Sequence, residues 1–212
     1  MALRLFALAD IHAEEAALDR LRAISMRANY DAVIIAGDIT NNGPVSFAKE
    51  VLELFPDNLY VVHGNMDSAP VVDMLASSKS YVHGRKAKLG EWNIVGLGGS
   101  NPTPFHTPSE YSEGEIERIL SAANVDEYTI LVSHPPPYGI FDNVGTINAG
   151  SKSVRECIEK KRPILALCGH IHENEGQKLV GDTLVVKLGP ASSLRGAELT
   201  IGDDIGVKFI TF

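Results

Sequence analysis

Asp10 with His12, Gly37-Asp38, Asn65, His134, and His170 with His172 are the residues of this chain whose types and spacing could do chemistry. Taken singly, an Asp-x-His, a Gly-Asp or a histidine before prolines is ordinary turn or surface chemistry. Together they differ, because each immediately follows an apolar run that reads as a strand. In α/β folds, residues at the carboxyl ends of strands meet at a ligand-binding edge however far apart they lie in sequence. A donor set of Asp, Asn and His suits Mn, Fe, Ni, Co or Zn and argues against a thiolate zinc site. Two such ions about 3.5–4 Å apart, sharing a carboxylate, stabilise both the entering and the leaving oxygen of a phosphoryl displacement.

The elements that must position these residues follow from hydrophobic patterning. Leu3 to Ala9 reads as a buried strand and Ala13 to Ala28 as a helix with Leu18, Leu21, Ile24 and Ala28 at helical spacing. The βα pattern repeats as strand Ala32 to Ala36 with helix Val45 to Phe55, then strand Leu59 to Val62 with a helix near Pro70 to Ala76. Right-handed crossovers then make these three strands parallel. Arg85 to Leu89 and Trp92 to Leu97 flank Gly90-Glu91 as a hairpin. Loop Gly98 to Ser109, helix Ser112 to Ala122, strand Thr129 to Val132, the long loop Pro135 to Gly150, helix Ser151 to Lys161 and strand Ile164 to Leu167 follow. Short strands turning at Gly181-Asp182 and Asp203-Asp204 end the chain. Strands alternating with helices and then with hairpins predict an α/β protein with mixed sheets, organised as one domain over 1–212.

Composition narrows the function classes. A chain of 212 residues with 44% hydrophobic and 22% charged content is that of an ordinary globular protein, large enough to hold a core without disulfides or structural zinc. Nineteen Lys and Arg against 27 Asp and Glu give a net charge of −8, so the average field repels a nucleic-acid polymer or an acidic membrane. No apolar run approaches the roughly 20 residues of a bilayer span. With two cysteines and no basic, cleavable start, a cytoplasmic setting is expected.

The ordered series Asp10-Ile11-His12, Gly37-Asp38, Gly64-Asn65-Met66-Asp67, His134 and Gly169-His170-Ile171-His172 resembles the calcineurin-like metallophosphoesterases. The stretches GGSNPTPF, SHPPPYG and CGHIHENEG resemble the small single-domain Icc-related phosphoesterases of that family. The resemblance implies a four-layer α-β-β-α sandwich of two mixed β-sheets flanked by helices. It implies that Asp10, His12 and His172 hold one ion, that Asn65, His134 and His170 hold the other, and that Asp38 bridges. It implies two divalent transition-metal ions, Mn first among them, and attack on a small phosphate ester by a metal-bridging hydroxide, most readily on a diester. Two divalent ions against Asp10, Asp38 and one hydroxide leave a positive surplus that attracts phosphate, and Asn65 in place of a third carboxylate preserves it. The same family contains DNA-repair nucleases and a retromer subunit used as a scaffold, so a nuclease and a non-enzymatic metal-binding module are the rival expectations. The oligomeric state is open.

The chain departs from the family pattern at Met66, where many members carry a histidine that serves the transition state or the leaving group. Losing a positioned acid costs about 10²–10⁴-fold, which predicts a bias toward good leaving groups. His106, in the loop NPTPFHTPSE, is the candidate stand-in, and Asn41 a candidate phosphate contact. His63 reads as packing beside the site and His83 as surface. Arg195 reads as a solvated arginine; Cys168 and Cys157 read as core thiols.

Overall fold

The computed structural model describes residues 2–27 and 29–212. A first sheet has the order β13-β12-β1-β2-β3, with β1 Leu3–Leu8, β2 Ala32–Ala36, β3 Leu59–Val62, β12 Arg195–Ile201 and β13 Ile205–Thr211. The second runs β10-β11-β9-β6-β5-β4, with β4 Lys86–Leu89, β5 Trp92–Leu97, β6 Thr129–Ser133, β9 Leu165–Cys168, β10 Gly176–Val180 and β11 Thr183–Lys187. β1, β2 and β3 are parallel as expected, and β12 joins β1 antiparallel, so the sheet is mixed. In the second sheet β5, β6, β9 and β11 are parallel, and antiparallel β4 and β10 lie at its edges.

Alternation along the strands divides the core into three. Phe6, Leu8, Val33 and Ile35 face one way, onto α1 (Glu15–Arg27), α2 (Val45–Leu54) and α3 (Ala69–Ala76), through Leu18, Leu21, Phe47, Val51, Val71 and Leu75. Leu5, Ala7, Ile34 and Ala36 face the other way and meet Ile94, Ile130, Val132, Leu165 and Val186 of the second sheet. Val95, Leu131, Ala166 and Val185 then pack on α4 (Glu113–Ala122) and α5 (Lys152–Lys161). The result is four layers, α-β-β-α. Strands covered on both faces are apolar through their middle, as in β2 (AVIIA) and β6 (TILVS), where buried Thr129 and Ser133 stand only at the ends. Ser112 and Glu115 form a reciprocal capping box that starts α4, and Ser151 caps α5.

Two local expectations are corrected. α1 begins at Glu15 and not at Ala13, because His12 and Ala13 lie in the left-handed region (φ 54° and 58°), which no helix accommodates. Its expected end at Ala28 lies outside the described residues. Inside the long loop, Asn143-Val144 and Ile147-Asn148 pair as a small exposed hairpin, β7–β8, too short to leave a periodic signal. Among the described residues no helix is long and apolar enough to cross a membrane.

Candidate metal centre

The ligand-type residues sit on the loops that leave β1, β2 and β3 of one sheet and β6 and β9 of the other, all at the same end of the sandwich. The loops after β1 and β2 run side by side: Asp10 N–H donates to Gly37 O, His12 N–H to Asp38 O and Ala13 N–H to Ile39 O, each at 3.0 Å. Asp10, His12, Asp38 and His170 all have positive φ (60°, 54°, 50° and 75°). Such conformations cost of order 1–3 kcal/mol each for a residue with a side chain and concentrate at functional sites. Here they bend the chain sharply past each strand end. Glycine makes room where the loops touch: a Cβ on Gly64 would stand 1.9 Å from Asp38 Oδ1, and one on Gly37 2.4 Å from His134 Nδ1.

Two clusters result. Asp10, His12 and His172 present ligand atoms within 4.8 Å of one another, and Asp38, His134 and His170 do the same. His12 Nε2 is 3.1 Å from His172 Nε2, which is 3.6 Å from Asp10 Oδ1. His134 Nε2 is 2.9 Å from Asn65 Oδ1 and 3.4 Å from Asp38 Oδ2. The same Asp38 Oδ2 is 3.7 Å from His12 Nε2, so one oxygen faces both clusters, while Oδ1 accepts the Met66 N–H at 2.8 Å. The structure thus brings all seven expected ligands together.

The donor set fits cations. His134 Nδ1 lies 2.8 Å from Ala36 O, which fixes its proton there and turns the Nε2 lone pair toward the Asn65 carbonyl, another lone pair. Two acceptors at hydrogen-bond distance need a cation or an extra proton between them. Without ions the proton serves: burial opposes it, yet the charge of Asp38 raises the His134 pKa to about 9. Burial and the charge on His134 push His170 down to about 4. Asp10, fully buried, is nevertheless held below the usual carboxylate range by its hydrogen bond to His172 and by the charges of His134 and Lys187; it also accepts the His170 N–H at 3.0 and 3.1 Å.

Residues that sequence reasoning missed hold this arrangement. Buried Asp67 accepts Gly64 N–H (2.8 Å) and Ile39 N–H (3.2 Å) on one oxygen, and Thr40 N–H and O–H (both 2.8 Å) on the other. It therefore ties the Asp38 loop to the Asn65 loop. Its place in Gly64-Asn65-Met66-Asp67 was the available signal. Asn65 Nδ2 donates to Thr107 Oγ1 at 3.1 Å, and Thr107 Oγ1 donates to Glu110 at 2.6 Å, which fixes the amide with its oxygen toward His134. Hydrogen bonds from Thr103 and Thr107 hold the Glu110 carboxyl down to about 2 although burial opposes them.

The remaining candidates lie farther out. His106 is exposed beside Thr107; Asn41 is exposed, and its neighbour Asn42 donates its backbone N–H to Met66 O at 2.8 Å. His63 is buried between the hydroxyls of Tyr81 (2.7 Å) and Tyr111 (3.2 Å). His83 is a correction: it is no surface residue, since Nδ1 accepts Gly98 N–H at 2.9 Å and its ring stacks on Tyr81 and Tyr111. Arg195 is paired with Glu175. Cys168 is buried and Cys157 partly so, both unpaired.

An uncharacterized protein of Methanocaldococcus jannaschii is 39% identical to this chain over 171 residues, covering 76% of this chain and 78% of its own length. Among solved structures, a Thermus thermophilus protein superposes with a TM-score of 0.71 at 20% identity, covering 98% of this chain and 99% of that one. A dimetal phosphatase from Danio rerio does so at 0.66 with 13% identity, covering 98% and 95%. At these identities the structural likeness concerns the fold. Fold and clusters together support a metal-dependent phosphoesterase with a dinuclear centre. The family described as calcineurin-like phosphoesterase matches residues 3–174, from the first strand to just past His172. That span contains both clusters, and the chain belongs to this family.

Proposed function

We propose that this chain hydrolyses small phosphodiesters at a dinuclear centre in which Asp10, His12 and His172 hold one ion, Asn65, His134 and His170 the other, and Asp38 bridges. The observation that carries the reading is Asp38 Oδ2, which faces His12 at 3.7 Å and His134 at 3.4 Å. When bound, two divalent ions acidify water and neutralise phosphoryl oxygens. The protein's own part is geometric. Met66 N–H fixes which Asp38 oxygen is free, Ala36 O sets the His134 tautomer, and Thr107 sets the Asn65 amide.

A water oxygen attacks phosphorus in line and loses its proton to solvent, a P–O bond forms, and the opposite ester P–O bond breaks. The departing alkoxide then needs a proton, and partly buried Met66 offers none where relatives use histidine. Good leaving groups and diesters therefore react best; exposed His106 and Asn41 are the further candidates for leaving-group or phosphate contact. The motif stretches quoted above support an affinity with the small Icc-related phosphoesterases, one domain spanning 1–212, with Mn as the ion to add first. Two unpaired cysteines and a charge of −8 agree with a cytoplasmic enzyme acting on small molecules and not on nucleic acid.

The test compares an aryl phosphodiester with its monoester on metal-stripped protein resupplied with Mn. Diester turnover that needs Mn and disappears in Asp38→Asn supports the reading. Turnover without added ions, or equal rates on the monoester, contradicts it.

A further inference from the structure

Seven large hydrophobic side chains are exposed among the described residues, and four of them lie on the two loops 98–109 and 135–150: Phe105 (83% exposed), Ile147 (68%), Val144 (46%) and Tyr138 (39%). Tyr138 carries the Lys152 ammonium 5.5 Å above its ring. Phe105, Val144 and Ile147 present their apolar surface to solvent.

Their placement is tied to the metal centre by hydrogen bonds. Phe105 is two residues from Thr107, whose hydroxyl holds Asn65. Val144 and Ile147 form the β7–β8 hairpin, whose Asn143 O accepts from Asn174 Nδ2 at 2.8 Å, two residues past His172. Asn101 Nδ2 donates to Ala149 O at 3.1 Å and joins the two loops. Apolar groups thus sit on segments hydrogen-bonded to the Asn65 loop and to the loop that follows His172, and bonded to each other.

Charge points the same way. Neither loop contains a Lys, Arg or Glu, and its one carboxylate, Asp142, is buried and accepts Gly139 and Gly150 N–H groups. In a chain that is 22% charged, the two loops themselves supply no basic side chain and no exposed carboxylate; the cation beside them is Lys152, over the Tyr138 ring. A polyanion would find no cation on the Phe105 and Val144–Ile147 surfaces. An uncharged apolar group would find surface to cover.

We infer that the preferred substrate carries its single phosphate on an uncharged apolar or aromatic group, which packs against Phe105 and the Val144–Ile147 hairpin while the phosphate sits at the metal centre. This rests on the phosphoesterase reading for the position of the phosphate. The discrimination it predicts is also readable from binding alone.

The experiment measures kcat and KM for 4-nitrophenyl phenyl phosphate and 4-nitrophenyl methyl phosphate, two diesters that share one leaving group, in the Mn-loaded native protein, Phe105→Ser, Ile147→Ser and Leu179→Ser. Leu179 is an equally exposed residue on β10. The expected result is an aryl preference that falls about tenfold in each rim variant, through KM, and stays in Leu179→Ser. Calorimetric titration with phenylphosphonate against methylphosphonate gives the same ratio without turnover. If nothing is hydrolysed yet phenylphosphonate binds more tightly and the rim variants erase the difference, the inference stands and the hydrolase reading fails. If hydrolysis proceeds with no aryl preference, or the rim variants leave the ratio unchanged, the inference is overturned. Protein that binds zwitterionic lipid vesicles through Phe105 and Ile147 while treating both esters alike overturns it in favour of a membrane contact.

Discussion

Replacing Asp67 with asparagine tests whether the two ligand loops are held by one buried carboxylate. Of the four donors that reach Asp67, three come from the loop after β2 and one from its own loop: Ile39 and Gly64 on Oδ2, Thr40 N–H and O–H on Oδ1. An asparagine keeps one acceptor oxygen. If its amide nitrogen took the Oδ2 position, two backbone N–H groups would lose their acceptor. At the Oδ1 position only Thr40 N–H does, because the Thr40 hydroxyl can turn and accept. The better rotamer thus strands one buried N–H, which costs about 1–3 kcal/mol, and weakens charge-assisted bonds to the rest, for a total of roughly 2–4 kcal/mol. Because Gly64 and Ile39 adjoin Asn65 and Asp38, ion affinity should fall as well, by the 10–100-fold typical when an outer partner of a ligand is removed. Urea unfolding of ion-free protein at pH 8, above the value of about 6 to which burial and the Asp38 charge push Asp67, reads the first number. Mn titration reads the second. Stability within about 0.5 kcal/mol of the parent and unchanged Mn affinity would refute the role assigned to Asp67.

Thr107→Val removes the oxygen that accepts from Asn65 Nδ2; the amide is then free to flip, and Mn affinity should drop about tenfold with little change in urea midpoint, as seen by titration and unfolding in parallel. His83 is pushed down to about 4, chiefly by burial, and His63 well below its ordinary value by the same cause. For a histidine depressed on folding, the unfolded chain binds the extra proton. Stability is therefore full above about pH 6.5 and declines as pH falls toward 4, by about 3 kcal/mol for His83 alone. Urea midpoints from pH 7.5 to 4.5 should show this slope, and His83→Phe should flatten it; a parent protein equally stable at both ends would contradict the burial argument.

The apolar runs at Leu3, Ala32, Leu59 and Thr129 announced their strands because strands covered on both faces are nearly continuous in apolar residues, with Arg4, Thr129 and Ser133 only near their ends. Asp10, Asp38, Asn65, His134 and His170 stood out for a related reason: each polar residue closely follows such a run, and the structure gathers them at one end of the sandwich. What local pattern does not encode was missed. Asp67 earns its role from donors 27 and 28 residues away and from Gly64 nearby, a relation visible only once β2 and β3 lie side by side. His83 gave no sign of burial because its partners, Tyr81, Tyr111 and Gly98, belong to three segments. Thr107 and Glu110 fall in a stretch that reads as loop, and loops carry no period from which a contact can be inferred. The positive φ of His12 and Ala13 likewise has no signature in those residue types.

The central claim is that one carboxylate joins two metal sites. A crystal of the Mn-soaked protein, with anomalous scattering to locate the ions, tests it most directly. The account predicts two ions about 3.5–4 Å apart, one beside Asp10, His12 and His172 and one beside Asn65, His134 and His170, with Asp38 touching both. A single ion, or two that do not share Asp38, would contradict it.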